Sequence, residues 1–361
     1  MRPPPASENR PVVVRSRCIL SKSDSSPRFS LRNHPSDPSL NRTLLLLVKL
    51  VLSVGLLVYL LRSVDLSDVL RHVIEGQHGL FAVAALVYIV VVLLSTARWK
   101  VLLDAIEGGP TFGELLRSYM VASFFGNFLP SNVGGDVIRV RDTARHAGSH
   151  TAALTVAFVD RVVGFVALYS IALPAFLLGG SLVRGLAGAR VILLGLTALF
   201  IVLGAIFARS GIVTRVVETV GVRRFPWIHT KFESVQATVN VFRAKKGALV
   251  EAFLLSLLLQ FLGVCYFFLV ARALRIPLDL GSAMLMVPLC SLIQAIPISF
   301  NGWGVREGVY VLYFHQVGLP RESALAFSIV AAGLVVLLSI SGLFVWLARK
   351  SHAHDVPQDP A

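Results

Sequence analysis

The sequence predicts an all-α integral membrane fold of about six spanning helices and two re-entrant hairpins, arranged as an inverted repeat. Three observations predict it. The chain is 55% hydrophobic and only 15% charged, with a mean hydropathy of +0.74, which is more apolar surface than a soluble domain of this size can hide. Eight stretches, 43–61, 79–97, 118–135, 162–183, 191–208, 252–271, 280–305 and 323–348, each hold at most one Asp, Glu, Lys or Arg. Finally, the run Asn127–Arg139 returns in degenerate form as Gln294–Glu307. In both copies a proline (Pro130, Pro297) is followed five residues later by glycine (Gly135, Gly302) and nine later by arginine (Arg139, Arg306).

Taken in order, residues 1–42 are rich in Pro, Ser and Arg without periodicity and read as a disordered basic cytoplasmic tail. Stretch 43–61 reads as the first span, with Lys49 close enough to the membrane edge to snorkel. Stretch 79–97 is the second, and Arg98-Trp99 closes it as an interfacial anchor. Residues 118–130 precede Pro130 and would form roughly 20 Å of helix against a hydrocarbon core of about 30 Å, so this stretch is too short to cross comfortably. The stretch before Pro297 is broken by Pro288 as well. Both are therefore expected to dip in and return.

Charge counting supports that topology. If all eight stretches crossed, loops 136–150 and 209–246, both rich in Arg and Lys, would lie outside, against the positive-inside bias. With two hairpins they move inside, together with 98–117 and Arg349-Lys350. The loops left outside, 62–78, 180–190 and 272–280, hold two Lys or Arg each. Segments 79–97, 118–135 and 151–178 then run opposite to segments 252–271, 280–305 and 323–348, one hairpin entering from each face. The domain reading is a tail, 1–42, a membrane domain, 43–348, and a short C-terminal tail, 349–361. The stretch Phe225–Phe242 can lie as an amphipathic helix on the inner leaflet.

Net charge is +14, but the basic residues sit in the tail and in selected loops, the pattern of flanks facing anionic lipid rather than nucleic acid. Cys18, Cys265 and Cys290 have no metal spacing and read as small core residues. The nine histidines are scattered, and no phosphate-cradling Gly-x4-Gly-Lys-Ser/Thr loop, HExxH or Gly-x-Ser-x-Gly is present. Neither a cofactor nor a metal is expected.

Irregular backbone at membrane depth survives only where protein or a water-filled cavity satisfies it. Gly134, Gly135, Gly302 and Gly304 are thus expected to line such a cavity with Asn127, and Arg139 and Arg306 would make it an anion site. The alternative is that the turns only end hairpins while the arginines snorkel. Asp160-Arg161 lies inside the apolar run 152–178, a costly placement that marks function or a structural clamp. Adjacent helical residues point about 100° apart, so Arg161 is expected to reach Asp136 or Glu307, and Asp160 to reach Arg139 or Arg306.

Arg98-Trp99, Leu129-Pro130…Gly134-Gly135-Asp136-x-x-Arg139, Asp160-Arg161-x-x-Gly164 and Pro297-Ile-Ser299…Gly302-Trp-Gly304-Val-Arg306-Glu307 together resemble the flippase-like transmembrane domain of the lysylphosphatidylglycerol synthase family, over roughly residues 43–348. The resemblance implies a membrane domain that moves or presents a lipid. In the full-length synthases a soluble aminoacyl-tRNA-dependent transferase follows this domain. The present sequence ends thirteen residues after its last apolar stretch, so a stand-alone member is expected and lysyl-lipid synthesis is not carried over. Asp160 departs from the family's more frequent Glu but keeps the charge.

The expected function is that of a lipid flippase or lipid transporter of the bacterial inner membrane, multi-pass, with both termini cytoplasmic. Its lipid would be a phospholipid or a polyprenyl- or hopanoid-type molecule. Arg139, Arg161 and Arg306 would hold the headgroup, and Asp136, Asp160 and Glu307 would balance them when the site is empty. Two alternatives stand beside it. One is an integral-membrane enzyme acting on a lipid-phosphate or polyprenyl-linked substrate, with Asp136 or Glu307 as base or metal ligand. The other is a non-transporting partner that presents lipid to a separate transferase.

Overall fold

A computed structural model describes residues 74–106, 109–128, 134–144, 146–178, 236–294 and 302–354, with isolated positions between 67 and 71 and between 194 and 198. All belong to one compact unit, 43–361. The expected spans 43–61 and 191–208 lie wholly or largely outside the described residues, as do the basic tail and most of 225–242. Every regular element among the described residues is a helix, and none is a strand.

The helices are α1 (His78–Asp104), α2 (Phe112–Phe128), α3 (Gly134–Thr143), α4 (His150–Leu178), α5 (Lys246–Ala273), α6 (Leu280–Gln294), α7 (Val305–Gln316) and α8 (Arg321–His354). Four of them, α1, α4, α5 and α8, are long and apolar enough to cross a membrane. They match four of the six spans expected from sequence. By contrast, α2 with 17 residues and α6 with 15 reach only about 25 Å and 22 Å at 1.5 Å per residue.

Local chemistry sets several boundaries. Thr111 and Glu114 form a reciprocal box at the start of α2, in which Glu114 Oε2 accepts from the Thr111 amide at 2.8 Å and its hydroxyl at 2.9 Å. These bonds, the amide's first, hold the Glu114 carboxyl below its usual range. Asp279 caps α6 by accepting from the Ser282 amide at 2.9 Å, and the Ser149 hydroxyl accepts from the Ala152 amide at 3.0 Å to start α4. Gly304, at φ +81°, opens α7, and its N–H donates to Glu307 Oε2 at 2.6 Å. That is half a capping box, since glycine has no side chain to return the bond.

The surface is what lipid requires. Val83, Leu86, Ile89, Val90 and Leu93 on α1, Leu254, Leu258 and Phe261 on α5, and Leu337 and Phe344 on α8 are exposed, whereas small residues such as Ala84, Thr96, Ala252 and Ser256 are buried. Small residues between membrane helices let backbones approach and gain dispersion contacts where the hydrophobic effect is weak. The tightest approach is Gly342 of α8, where a Cβ would lie 2.0 Å from the Met120 carbonyl oxygen of α2. The apolar core proper gathers Tyr266, Leu285, Met286, Tyr310, Phe314 and Phe327. A second cluster at the other end contains Trp99, Leu102, Leu103, Leu115 and Phe242.

Helix ends give the directions. The Gln77 amide, just before α1, donates to the Ala273 carbonyl at the end of α5, so α1 and α5 run antiparallel. The outer ends of α2 and α3 meet where the Ser118 hydroxyl donates to Asp142 at 2.7 Å. Those of α6 and α7 meet where the Tyr313 hydroxyl donates to the Ser282 carbonyl at 3.3 Å. Helix packing obeys an exchange rule: swapping α1 with α5, α2 with α6, α3 with α7 and α4 with α8 maps the packed pairs onto one another. Thus α2 packs on α8 as α6 does on α4, and α7 on α8 as α3 does on α4.

Candidate functional site

Five charged side chains from α1, α3 and α4 form one network. Asp136 and Arg139, three residues apart on α3, pair directly, and Arg161 of α4 reaches the other Asp136 oxygen. Asp160 Oδ2 lies 3.7 Å from Arg139 Nη1, and its Oδ1 lies 2.7 Å from Arg98 Nε. This last pair is close but misaligned for a hydrogen bond, so its attraction is chiefly electrostatic. Arg98 instead donates to Ser256 of α5 at 3.0 Å. Arg161 therefore meets Asp136 and Asp160 meets Arg139, each as one of the two partners the sequence suggested.

Arg98 and Trp99 correct the sequence reading. They are not an interfacial anchor: Trp99 is 1% exposed, and the Arg98 side chain lies inside the network. The helix runs on past them to Asp104, which carries position 98 inward. Gly164 makes room, for a Cβ there would sit 3.3 Å from Arg98 Nη1. Arg139 is sandwiched by aromatics, its guanidinium 4.7 Å from the Trp99 ring and 5.2 Å from the Tyr119 ring, a favourable setting for a desolvated cation.

The network borders a cavity of about 270 Å³, which Tyr88, Tyr119, Ser123, Asn127, Gly135 and Arg161 help to line. Most of the charge behind it is buried: the side chains of Asp160, Asp136 and Arg139 are 3%, 9% and 10% exposed, but that of Arg161 is 37% exposed. Gly135 is required by packing, since a Cβ there would meet the Ala122 carbonyl oxygen at 2.6 Å. Asn127 and Gly135 line this cavity, and Gly134 is buried at the start of α3. Pro130 and Ser131 lie outside the described residues.

Arg306 and Glu307 form a second, separate cluster. Arg306 pairs with its neighbour Glu307 and donates from Nε to Ser328 Oγ of α8 at 3.0 Å, while Ser328 donates to Glu307 Oε1 at 2.9 Å. The Arg306 guanidinium lies 4.7 Å from the Trp303 ring, as Arg139 lies on Trp99. Glu307 is fully buried. Gly302, at φ +78°, turns the chain beneath the Gln294 side chain. None of these residues lines the cavity beside Arg161, so the expectation that Arg139 and Arg306 share one pocket is not met by the described cavities. Tyr88 lines the cavity, and its ring centroid is 5.9 Å from that of Tyr266. Tyr88, Tyr119, Ser123 and Ser328 were not singled out from sequence, because a lone Ser or Tyr in an apolar helix carries no spacing signal.

No group of three or more metal-ligating side chains occurs among the described residues. Cys290 is buried and Cys265 partly so. No curated protein and no solved structure matches the chain. A family model does match, described as the lysylphosphatidylglycerol synthase TM region, and it spans residues 46–342. It encloses both charged clusters, the cavity and the long apolar helices α1, α4 and α5, and takes in α8 as far as position 342. The chain belongs to the lysylphosphatidylglycerol synthase transmembrane-region family, membrane proteins whose biology is tied to lipid.

Proposed function

We propose that the protein is a lipid flippase or lipid transporter that takes the anionic headgroup of a membrane lipid into the cavity beside Arg161. The observation that carries this is the contrast in exposure along one network. Arg98, Arg139, Asp136 and Asp160 are buried and hold each other in place, whereas Arg161 stands more than a third exposed at the cavity. A guanidinium more than a third exposed at the wall of a cavity is suited to bidentate contact with a phosphate oxyanion. Three arginines sharing two carboxylates within the network favour an incoming negative charge.

In this proposal α2–α3 and α6–α7 are re-entrant hairpins entering from opposite faces of an inverted repeat. Their short first legs, the meeting of their outer ends and the exchange rule in helix packing support it. Rocking of one half against the other about the α1–α5 pair would expose the cavity alternately to each leaflet. The second cluster, fully paired through Ser328, serves as the counterpart clamp. The membrane is the bacterial inner membrane, with both termini cytoplasmic. The lipid is a phospholipid or a polyprenyl- or hopanoid-type molecule, which a modifying transferase supplies or receives.

The test is translocation of a fluorescent phosphatidylglycerol in proteoliposomes, read by quenching from the outer leaflet. Wild-type protein is expected to raise the accessible fraction with time. Arg161→Gln is expected to abolish this while the protein elutes and unfolds like wild type. Unchanged translocation in a folded Arg161→Gln variant would contradict the site.

A further inference from the structure

A second, larger cavity of about 400 Å³ lies where α2 begins and where α3 and α8 end. Arg117 and Ser118 of α2, Arg141 and Asp142 of α3, His146 and Arg349 help to line it. Three arginines thus converge from three helices, which differs from the charged outer face of any single helix. The nearby carboxylates already have partners. Glu114 accepts both Thr111 bonds, and Asp142 Oδ2 accepts from Ser118 at 2.7 Å and from Arg349 at 2.9 Å. Among the described residues, neither Arg117 nor Arg141 forms an ion pair.

The hairpin α2–α3 walls both cavities. Arg139 and Arg141 are two residues apart, about 200° around a helix. Arg139 accordingly sits between Trp99 and Tyr119 by the inner cavity, while Arg141 lines the outer one. Likewise Tyr119 lines the inner cavity and Ser118 the outer.

We propose that the outer cavity is a second oxyanion site, built by Arg117, Arg141 and Arg349 to take a phosphoryl group. That chemistry is shared by a phospholipid headgroup and by free phosphate. Asp142 competes with the ligand by engaging Arg349, so an arriving phosphoryl oxygen takes over part of the Arg349 hydrogen bonding. The site stands independently of what the inner cavity does.

The experiment is hydrogen exchange over residues 111–117 and 139–144 of the full chain. It is run in nanodiscs of phosphatidylcholine alone or mixed with phosphatidylglycerol, and in nonionic detergent titrated with inorganic phosphate. Protection is expected in at least one arm. Protection by phosphatidylglycerol without phosphate assigns a lipid headgroup, and protection by phosphate at comparable affinity assigns the free anion. Arg117→Ala with Arg141→Ala is expected to weaken binding by about tenfold or more, since each charge-assisted hydrogen bond to an ion contributes on the order of a tenfold factor. Arg117→Lys with Arg141→Lys retains part of the affinity, and Asp142→Asn strengthens it by releasing Arg349. Arg161→Gln, which touches the other cavity, leaves this protection in place. Absence of protection in both arms overturns the proposal, as does undiminished binding in the alanine pair. Should the alanine pair misfold, unchanged or weaker binding in Asp142→Asn overturns it.

Discussion

Asp160 is the point at which the energetics of the network can be measured. Its side chain is 3% exposed and answers two arginines, Arg98 at 2.7 Å and Arg139 at 3.7 Å. Asp160→Asn keeps the shape and removes the charge, so that Arg98 and Arg139 lose the carboxylate they share. Removing one partner of a buried ion pair costs about 3–5 kcal/mol, because the charge left behind stays desolvated. The Arg98 contact is misaligned and the Arg139 contact is long, which places the expected loss near the lower end, about 3 kcal/mol. Arg98→Gln removes the nearer of the two cations and leaves Asp160 with Arg139 at 3.7 Å. In the double variant neither charge remains, so its cost is expected to fall short of the sum of the singles by about 1–3 kcal/mol. The assay is reversible unfolding in mixed micelles, followed by helical circular dichroism and by fluorescence of the buried Trp99. Additive losses, with no coupling between the two positions, would refute the reasoning that the pair is held by its own electrostatics.

Three further outcomes follow from the packing. Gly342→Ala places a methyl group where the Met120 carbonyl stands and is expected to destabilise the α2–α8 contact by about 1–3 kcal/mol, seen as earlier thermal unfolding in detergent. Gly135→Ala drives a methyl group against the Ala122 carbonyl; it should part α2 from α3 and lower translocation and stability together. Ser328→Ala removes a hydroxyl that serves both Arg306 and Glu307 and is expected to cost about 1–3 kcal/mol, with Ser328→Thr retaining more stability than Ala. For Glu114, whose carboxyl is held low by the Thr111 amide and hydroxyl, the cap contributes stability above the unfolded carboxylate pKa and loses it as pH falls through the lowered folded value. Acid unfolding curves should therefore flatten in Glu114→Gln, and an identical acid response would contradict that role.

How much of this was legible in the sequence depended on whether a feature leaves a period or a charge. The long apolar helices α1, α4, α5 and α8 were legible because each is a run of about twenty uncharged residues, a length that has few other uses. The pairing of Asp160 and Arg161 with α3 was legible for a related reason: a charge inside such a run must find a partner, and few carboxylates or arginines are available. Arg98 was misread because it stands at the end of its uncharged run, where an interface anchor is the simplest explanation. Its burial depends on the helix continuing to Asp104 and on Gly164 clearing space on α4, a contact no local pattern encodes. Arg306 pairing with adjacent Glu307 was also hidden. It arises because both sit in the first turn of α7, where Ser328 bridges them from a distant helix. The outer cavity's arginines read as ordinary loop and helix-end charge until three helices brought them together.

The central claim is that the cavity beside Arg161 is polar, reachable and occupied by an anionic lipid headgroup. The direct measurement is thiol labelling at Ser123→Cys, which lines that cavity, in a background where Cys18, Cys265 and Cys290 are replaced by Ala. An impermeant reagent is expected to label it in phosphatidylcholine nanodiscs, and phosphatidylglycerol is expected to slow the labelling in wild-type Arg161 but not in Arg161→Gln. Labelling that is absent in both lipids, or slowed equally by phosphatidylglycerol in the two proteins, would contradict the account.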